Sequence, residues 1–145
     1  MRLLLGIVAL LVALGLGGCQ VHPLTPAVAT SNTAARVLAV THGQMAAVYE
    51  AQQVAAAKAA ATKPEKRAAV QQVRERWDGA WDAYRVARAT WVSLVAFLRV
   101  AIELGDGAPL DTFELAALLT DLVEAQQQLA VDAEPFIGIP PIPQE

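Results

Sequence analysis

Cysteine and histidine are nearly absent from this chain of 145 residues. Cys19 is the only cysteine, and His22 and His42 are the only histidines. One cysteine can form neither an intramolecular disulfide nor a cluster of thiolate metal ligands. Neither histidine stands in a ligand spacing such as His-Glu-x-x-His. The sequence therefore predicts no metal site.

Patterns that serve catalysis are also missing. Ser31 and Ser93 lack the glycine-flanked turn of a nucleophile elbow, and no glycine-rich phosphate loop follows a strand. The carboxylates of Asp78 and Asp82 stand at helical spacing, which is typical of a solvated helix face rather than of an acid–base pair. We expect a non-catalytic protein that has no cofactor.

Alternating runs of β-branched residues, which indicate strands, do not occur. Apolar and small residues instead recur at steps of three and four in three segments. The first segment carries Ala34, Leu38, Thr41, Met45, Val48, Gln52, Ala55 and Ala59. The second carries Val70, Val73, Trp77, Ala80, Tyr84, Ala87, Trp91, Leu94, Leu98 and Ala101. The third carries Leu115, Leu118, Leu122, Ala125 and Leu129. The sequence predicts an all-α domain over residues 31–134, an antiparallel three-helix bundle.

Helix boundaries are marked by capping residues. Thr62 and Glu65 have capping-box spacing for the second helix, and Asp111 and Glu114 have it for the third. We expect the third helix to stop before Pro135.

Basic residues are missing from the last third of the chain. No lysine or arginine follows Arg99, whereas nine acidic residues do. The sequence predicts charge matching between the arginines of the second helix, Arg74, Arg76, Arg85 and Arg88, and the acids of the third, Glu114, Asp121, Glu124 and Asp132. A formal net charge of −3 with interleaved signs disfavours binding to nucleic acid.

The N-terminus is the most apolar stretch. Arg2 is followed by an uncharged run over residues 3–16 and then by Gly17, Gly18 and Cys19, which is typical of a secretory signal. Leu16-Gly17-Gly18-Cys19 resembles the lipobox of bacterial lipoproteins. The resemblance implies cleavage after residue 18 and a covalent lipid on Cys19. The competing interpretation is a signal anchor that is never cut.

The lipoprotein resemblance also implies a location. Gln20 after the cysteine points to the outer membrane of a Gram-negative cell, with the protein facing the periplasm. Residues 19–30, with Pro23 and Pro26, are predicted to be a tether. Secretin pilotins are an example of small helical lipoproteins that bind a partner protein. An envelope protein encoded by a phage or mobile element is an alternative.

Two features are candidate binding surfaces. The cluster of Trp77, Trp81, Tyr84 and Trp91 fills the bundle core or forms a groove for an apolar ligand or a partner's helix. The tail, residues 135–145, is proline-rich and too apolar to be solvated, which predicts that the bundle itself or a partner covers it. Its apolar side chains are Phe136, Ile137, Ile139 and Ile142.

The stretch from Trp91 to Leu104 is densely apolar but too short to span a bilayer, and it contains Arg99 and Glu103. It is predicted to be a buried helix. Because it is apolar on nearly every side, cover is expected from two other helices or from a second copy of the chain.

Overall fold

Three α-helices make up the described part of the protein. The computed structural model describes residues 24–105 and 110–137. Helix α1 is Leu24–Ala59, α2 is Lys63–Leu104 and α3 is Thr112–Ile137, and no strand occurs in these two ranges. The predicted all-α three-helix bundle is confirmed.

Two tryptophan hydrogen bonds set the register of α1 against α2. The indole Nε1 of Trp91 donates to the backbone oxygen of Ser31 at 3.0 Å, and that of Trp77 donates to Oε1 of Gln52 at 2.8 Å. As the residue number rises along α1, its partner's number falls along α2. The two helices are therefore antiparallel.

Helix α3 returns antiparallel to α2. Leu115, in its second turn, shares an apolar cluster with Leu98 near the end of α2, whereas Phe136 in its last turn packs on Trp77. Helix α2 packs along both other helices, but α1 and α3 touch only briefly. A groove of about 430 Å³ lies between α1 and α3.

The core consists of two apolar clusters strung along α2. One cluster, near the start of α1, contains Ala27, Ala34, Leu94, Leu98, Leu115 and Leu122. The other contains Leu38, Met45, Val73, Trp77, Ala80, Ala83, Ala87, Ala125, Leu129 and Ala133. Every position of the predicted α2 and α3 stripes is buried or half-buried, which confirms both stripes. In α1, however, Ala55 and Ala59 are exposed.

These two alanines lie in an arm that α3 does not cover. Helix α2 has 42 residues and α3 only 26, so the α1–α2 hairpin projects beyond the end of α3. Residues 53–72, which form this arm, include no fully buried side chain. The third helix is too short to complete a bundle there.

The predicted tether over residues 19–30 is wrong from Leu24 onward, because α1 begins there. Pro26 lies in the first turn, where a backbone N–H would have no intrahelical acceptor. Its lack of an N–H therefore does not break the helix. Ala27 is buried, and Leu24 packs against the cluster that contains Leu98. Tertiary packing therefore favours helix where the prolines suggested extended chain.

The Thr62–Glu65 capping box forms in full, whereas at the start of α3 only the Asp111 half of the predicted pair forms. Oγ1 of Thr62 accepts from the amide of Glu65 at 3.4 Å, and the Glu65 carboxylate accepts from the amide of Thr62 at 2.9 Å. Oδ1 of Asp111 accepts from the amides of Phe113 and Glu114. Helix α2 ends at Leu104 and is capped by Gly105, whose positive φ of 72° suits glycine.

The expectation that α3 stops before Pro135 is wrong by three residues. Pro135 lies inside the last turn of α3, which ends at Ile137. A proline this close to a C-terminus removes only one of the last backbone hydrogen bonds, and the packing of Phe136 on Trp77 offsets that loss.

The predicted charge matching between α2 and α3 does not form. Within the described ranges, the salt bridges join neighbours on α2 itself, Arg85 with Asp82 and Arg99 with Glu103. All four side chains are more than 60% exposed, so each pair contributes less than about 1 kcal/mol. Arginines on a solvated helix find partners at i−3 or i+4 before they reach another helix.

The apolar stretch at the end of α2 is only partly covered. Leu94 and Leu98 are buried, but Val92, Val95 and Val100 are exposed. The expected cover from two other helices forms, because α1 and α3 both pack on α2, but the helix is not buried on every side. None of the three described helices combines the length and hydropathy needed to cross a membrane.

Candidate functional site

Every tryptophan of the chain lies on α2, and two of the three are structural. Trp77 is fully buried, and its indole N–H is satisfied by Gln52. Trp91 is half-buried, and its N–H donates to both oxygens of Ser31, at 3.0 and 3.2 Å. These two rings pack in the core, which was the first of the two interpretations of the cluster. Their N–H groups already donate hydrogen bonds inside the protein.

The other two members of the cluster lie at its edge, where α1 adds two more rings. Trp81 and Tyr84 are half-buried, and their rings are 6.2 Å apart in an edge-to-face arrangement. The exposed His42 lies 5.8 Å from Trp81 and 5.1 Å from Tyr84, and Tyr49 lies 5.9 Å from Trp81. We name these four residues, His42, Tyr49, Trp81 and Tyr84, the aromatic surface.

The polar atoms of the aromatic surface have no partner in the described part of the chain. Neither the indole N–H of Trp81 nor the hydroxyls of Tyr49 and Tyr84 make a hydrogen bond there. Large rings with free donors at a partly open edge are the side chains that dominate binding energy in protein interfaces. The aromatic surface can therefore supply both apolar contact and directed hydrogen bonds.

A depression of about 380 Å³ adjoins the aromatic surface. Its lining includes His42, Tyr84 and Trp91, together with Leu38 and Arg88. A guanidinium beside aromatic rings suits a ligand or peptide that carries a carboxylate next to an apolar group. Neighbouring Arg85 is held by Asp82 at 2.6 Å and by the backbone oxygen of Trp81.

The tail residues are divided between the bundle and the region outside the described ranges. The ring of Phe136 lies 4.3 Å from that of Trp77, and Ile137 packs on the same core cluster. The bundle itself thus contacts both residues. Ile139 and Ile142 lie outside the described residues, as does Cys19 with its lipobox.

Titratable chemistry in the described ranges is sparse. No group of three or more histidine, cysteine, aspartate or glutamate side chains there could hold a metal ion. One carboxyl has a shifted pKa: the hydrogen bonds from Thr62, backbone first and then side chain, hold the pKa of Glu65 below its ordinary value of 4.5. This shift belongs to the helix cap, far from the aromatic surface.

The comparisons with known proteins return nothing. No protein-family model, curated protein or solved structure matches the chain. The aromatic surface is therefore described from its burial, ring contacts and hydrogen bonds alone.

Sequence reasoning found Trp81 and Tyr84 but missed their α1 partners. Periodicity assigns residues to a face of one helix and does not pair them with another helix. Counting about the hairpin turn at residues 60–62 places Tyr49 opposite Val73, one turn short of Trp77 and two turns short of Trp81. The turn therefore indicates an antiparallel hairpin but does not give the side-chain pairs, including the contact of Gln52 with Trp77 that identifies Trp77 as structural.

Proposed function

We propose that the protein is a non-catalytic binding module of the bacterial cell envelope, anchored by a lipid on Cys19 and facing the periplasm from the outer membrane. Its folded part binds an envelope protein through the aromatic surface. Membrane attachment comes from the lipobox resemblance, and the described helices supply the binding body.

One observation carries the binding proposal. Of the four large side chains that α2 contributes to the aromatic cluster, the two core rings use their polar atoms internally, and the two edge rings do not. A core ring needs an acceptor inside the protein for its N–H, because burying a polar group without a partner is costly. The N–H and O–H groups of the edge rings are not buried, so they are accessible to a partner that supplies acceptors.

Site-specific photocrosslinking in intact cells tests this proposal. A photoreactive amino acid is placed at Trp81 or Tyr84, and in a control variant at Val86, which is 58% exposed on the same helix. We expect one adduct of defined mass from residues 81 and 84 and none from residue 86. Equal adduct patterns at all three positions, or no adduct at 81 and 84, would contradict the proposal.

A second candidate function is the binding of an apolar ligand, and the groove between α1 and α3 favours it. Val37, Ala34 and Leu129 line this groove together with Gln126, whose buried Nε2 has no acceptor within the described residues. An apolar molecule with one carbonyl or carboxylate would fit these features. Extraction of lipids from the purified protein, followed by mass spectrometry, tests it: a stoichiometric ligand lost in Gln126→Leu supports it, and a ligand-free protein contradicts it.

A further inference from the structure

The end of the bundle nearest the N-terminus is ringed by exposed apolar side chains. Phe113 at the start of α3 is 89% exposed, and Val100, Ile102 and Leu104 at the end of α2 are 55, 57 and 64% exposed. We name these four residues the apolar tip. Beside them is a cleft of about 580 Å³ whose lining includes Leu24 and Leu110.

The apolar tip faces several directions at once. Successive residues of an α-helix point about 100° apart, so Val100 and Ile102 lie on nearly opposite sides of α2. Neither side is covered by the described residues, since Val100 is 55% and Ile102 57% exposed. A second helix packed alongside would cover one of these sides only. An apolar medium that receives the whole end covers all of them.

The position of the tip close to Cys19 indicates that this apolar medium is a lipid bilayer. Leu24, which lines the tip's cleft, is five residues after Cys19, and five residues span at most about 18 Å whatever their conformation. An acyl chain on Cys19 therefore lies within that distance of the start of α1. Helix α1 begins seven residues earlier than the sequence predicted, so fewer residues separate Cys19 from the bundle than in the predicted 12-residue tether.

We propose that the apolar tip inserts into the lipid surface to which Cys19 is anchored, so that the bundle stands end-on at the membrane. This inference rests on the proposed lipid anchor and adds a second contact, made by the folded part. The charges at the tip select the kind of lipid. Arg99 is neutralised by Glu103 at 2.9 Å, and Asp111 and Glu114 remain, which favours zwitterionic over anionic headgroups.

End-on docking fixes the height of the aromatic surface. Trp81 is 23 residues before Leu104, which corresponds to about 35 Å along the helix axis. The α1–α2 turn lies near the far end of a helix about 63 Å long. The aromatic surface would thus face the periplasm at a set distance from the bilayer, instead of moving over the full reach of a 12-residue tether.

The test measures how deeply a label at the tip enters the bilayer. Full-length Phe113→Cys is expressed in cells, purified and reconstituted in phosphatidylcholine vesicles, and its new thiol is labelled with a nitrobenzoxadiazole fluorophore. The matched control is Val131→Cys on the same helix, also apolar and 63% exposed, and about 27 Å farther along the axis. Both side chains are exposed, so neither substitution disturbs the core.

We expect spin-labelled lipids to quench the label at residue 113 several-fold more than the label at residue 131, and aqueous iodide to show the reverse order. Equal quenching of the two labels by lipid would overturn the inference. A label at residue 113 that is shielded from both quenchers and shows fluorescence energy transfer between two copies of the chain would also overturn the inference. A second chain would then cover the tip.

Failure of the anchor gives a different result. The wild-type chain has Cys19 as its only cysteine, and an acylated cysteine takes up no thiol label. Labelling of the wild-type protein would therefore contradict the lipid anchor itself, whatever the quenching at residue 113.

Discussion

The ring of Phe136 lies 4.3 Å from the ring of Trp77, with an angle of 31° between their planes. This stack joins the last turn of α3 to the middle of α2 and closes the core at the point where the arm begins. It also means that part of the apolar tail contributes to the stability of the bundle.

The stack predicts that Phe136→Ala lowers the free energy of unfolding by about 2 kcal/mol, because a half-buried ring and its aromatic contact are lost. Phe113→Ala is the matched control, since that ring is 89% exposed and its loss should change stability by less than about 0.5 kcal/mol. Urea unfolding followed by circular dichroism measures both. Equal effects of the two substitutions would show that the stack is not formed.

The two structural tryptophans predict unequal effects of removing their acceptors. In Gln52→Ala the buried N–H of Trp77 loses its one acceptor, which should cost about 1–3 kcal/mol. In Ser31→Ala the N–H of Trp91 keeps the backbone oxygen, so about 0.5 kcal/mol is expected. Thermal unfolding of the two variants side by side checks the order, and a larger loss for Ser31→Ala would contradict the assignment.

The capping box predicts a loss of about 1 kcal/mol for Thr62→Ala, because the first turn of α2 loses a side-chain acceptor. It also predicts a pH dependence. The pKa of Glu65 is lower in the folded protein than its ordinary 4.5, so this carboxylate stabilises the fold above that pH. The contribution is lost as the pH falls through the lower folded value.

The difference in melting temperature between the wild-type protein and Glu65→Gln measures that contribution. It should be largest near neutral pH and shrink as the pH falls below 4.5. A difference that is the same at pH 7 and at pH 3 would contradict the hydrogen-bonded carboxylate.

The unpaired amide of Gln126 predicts a stabilising substitution. Its Nε2 is buried without an acceptor among the described residues, so Gln126→Leu should raise the free energy of unfolding by about 1 kcal/mol. Gln128→Leu, two residues on, is the control, because Gln128 is exposed and donates to Asp132 at 2.9 Å. Chemical unfolding of the purified protein checks both. A loss of stability in Gln126→Leu would mean that the amide has an acceptor in solution.

The sequence predicted the fold where one physical pattern acted alone. The 3-4 spacing from Val70 to Ala101 set the buried face of α2, and the Thr62–Glu65 pair set its start. Both signals are local, which is why they could be found without knowing what packs against the helix.

Predictions failed where tertiary packing decided the outcome. Pro26 and Pro135 suggested helix breaks, but each lies in a terminal turn whose neighbours, Ala27 and Phe136, pack on the core. The arginines of α2 were expected to reach α3, but exposed long side chains make pairs within their own helix. Among the candidate site residues, the sequence named all four rings on α2 but could not separate core from edge.

That separation depends on hydrogen-bond partners in another helix. Gln52 and Ser31 are ordinary polar residues in a helical segment, and only the register of the hairpin brings them to Trp77 and Trp91. Tyr49 and His42 gain their importance in the same way, through Trp81 and Tyr84. Pairing across a seam is a property of the fold rather than of a local pattern.

The proposed lipid on Cys19 is tested most directly by the intact mass of the membrane-extracted protein. We expect a chain that starts at Cys19 and carries the added mass of acyl chains. A mass that includes residues 1–18 and lacks acyl chains would contradict it and would favour the uncleaved signal anchor.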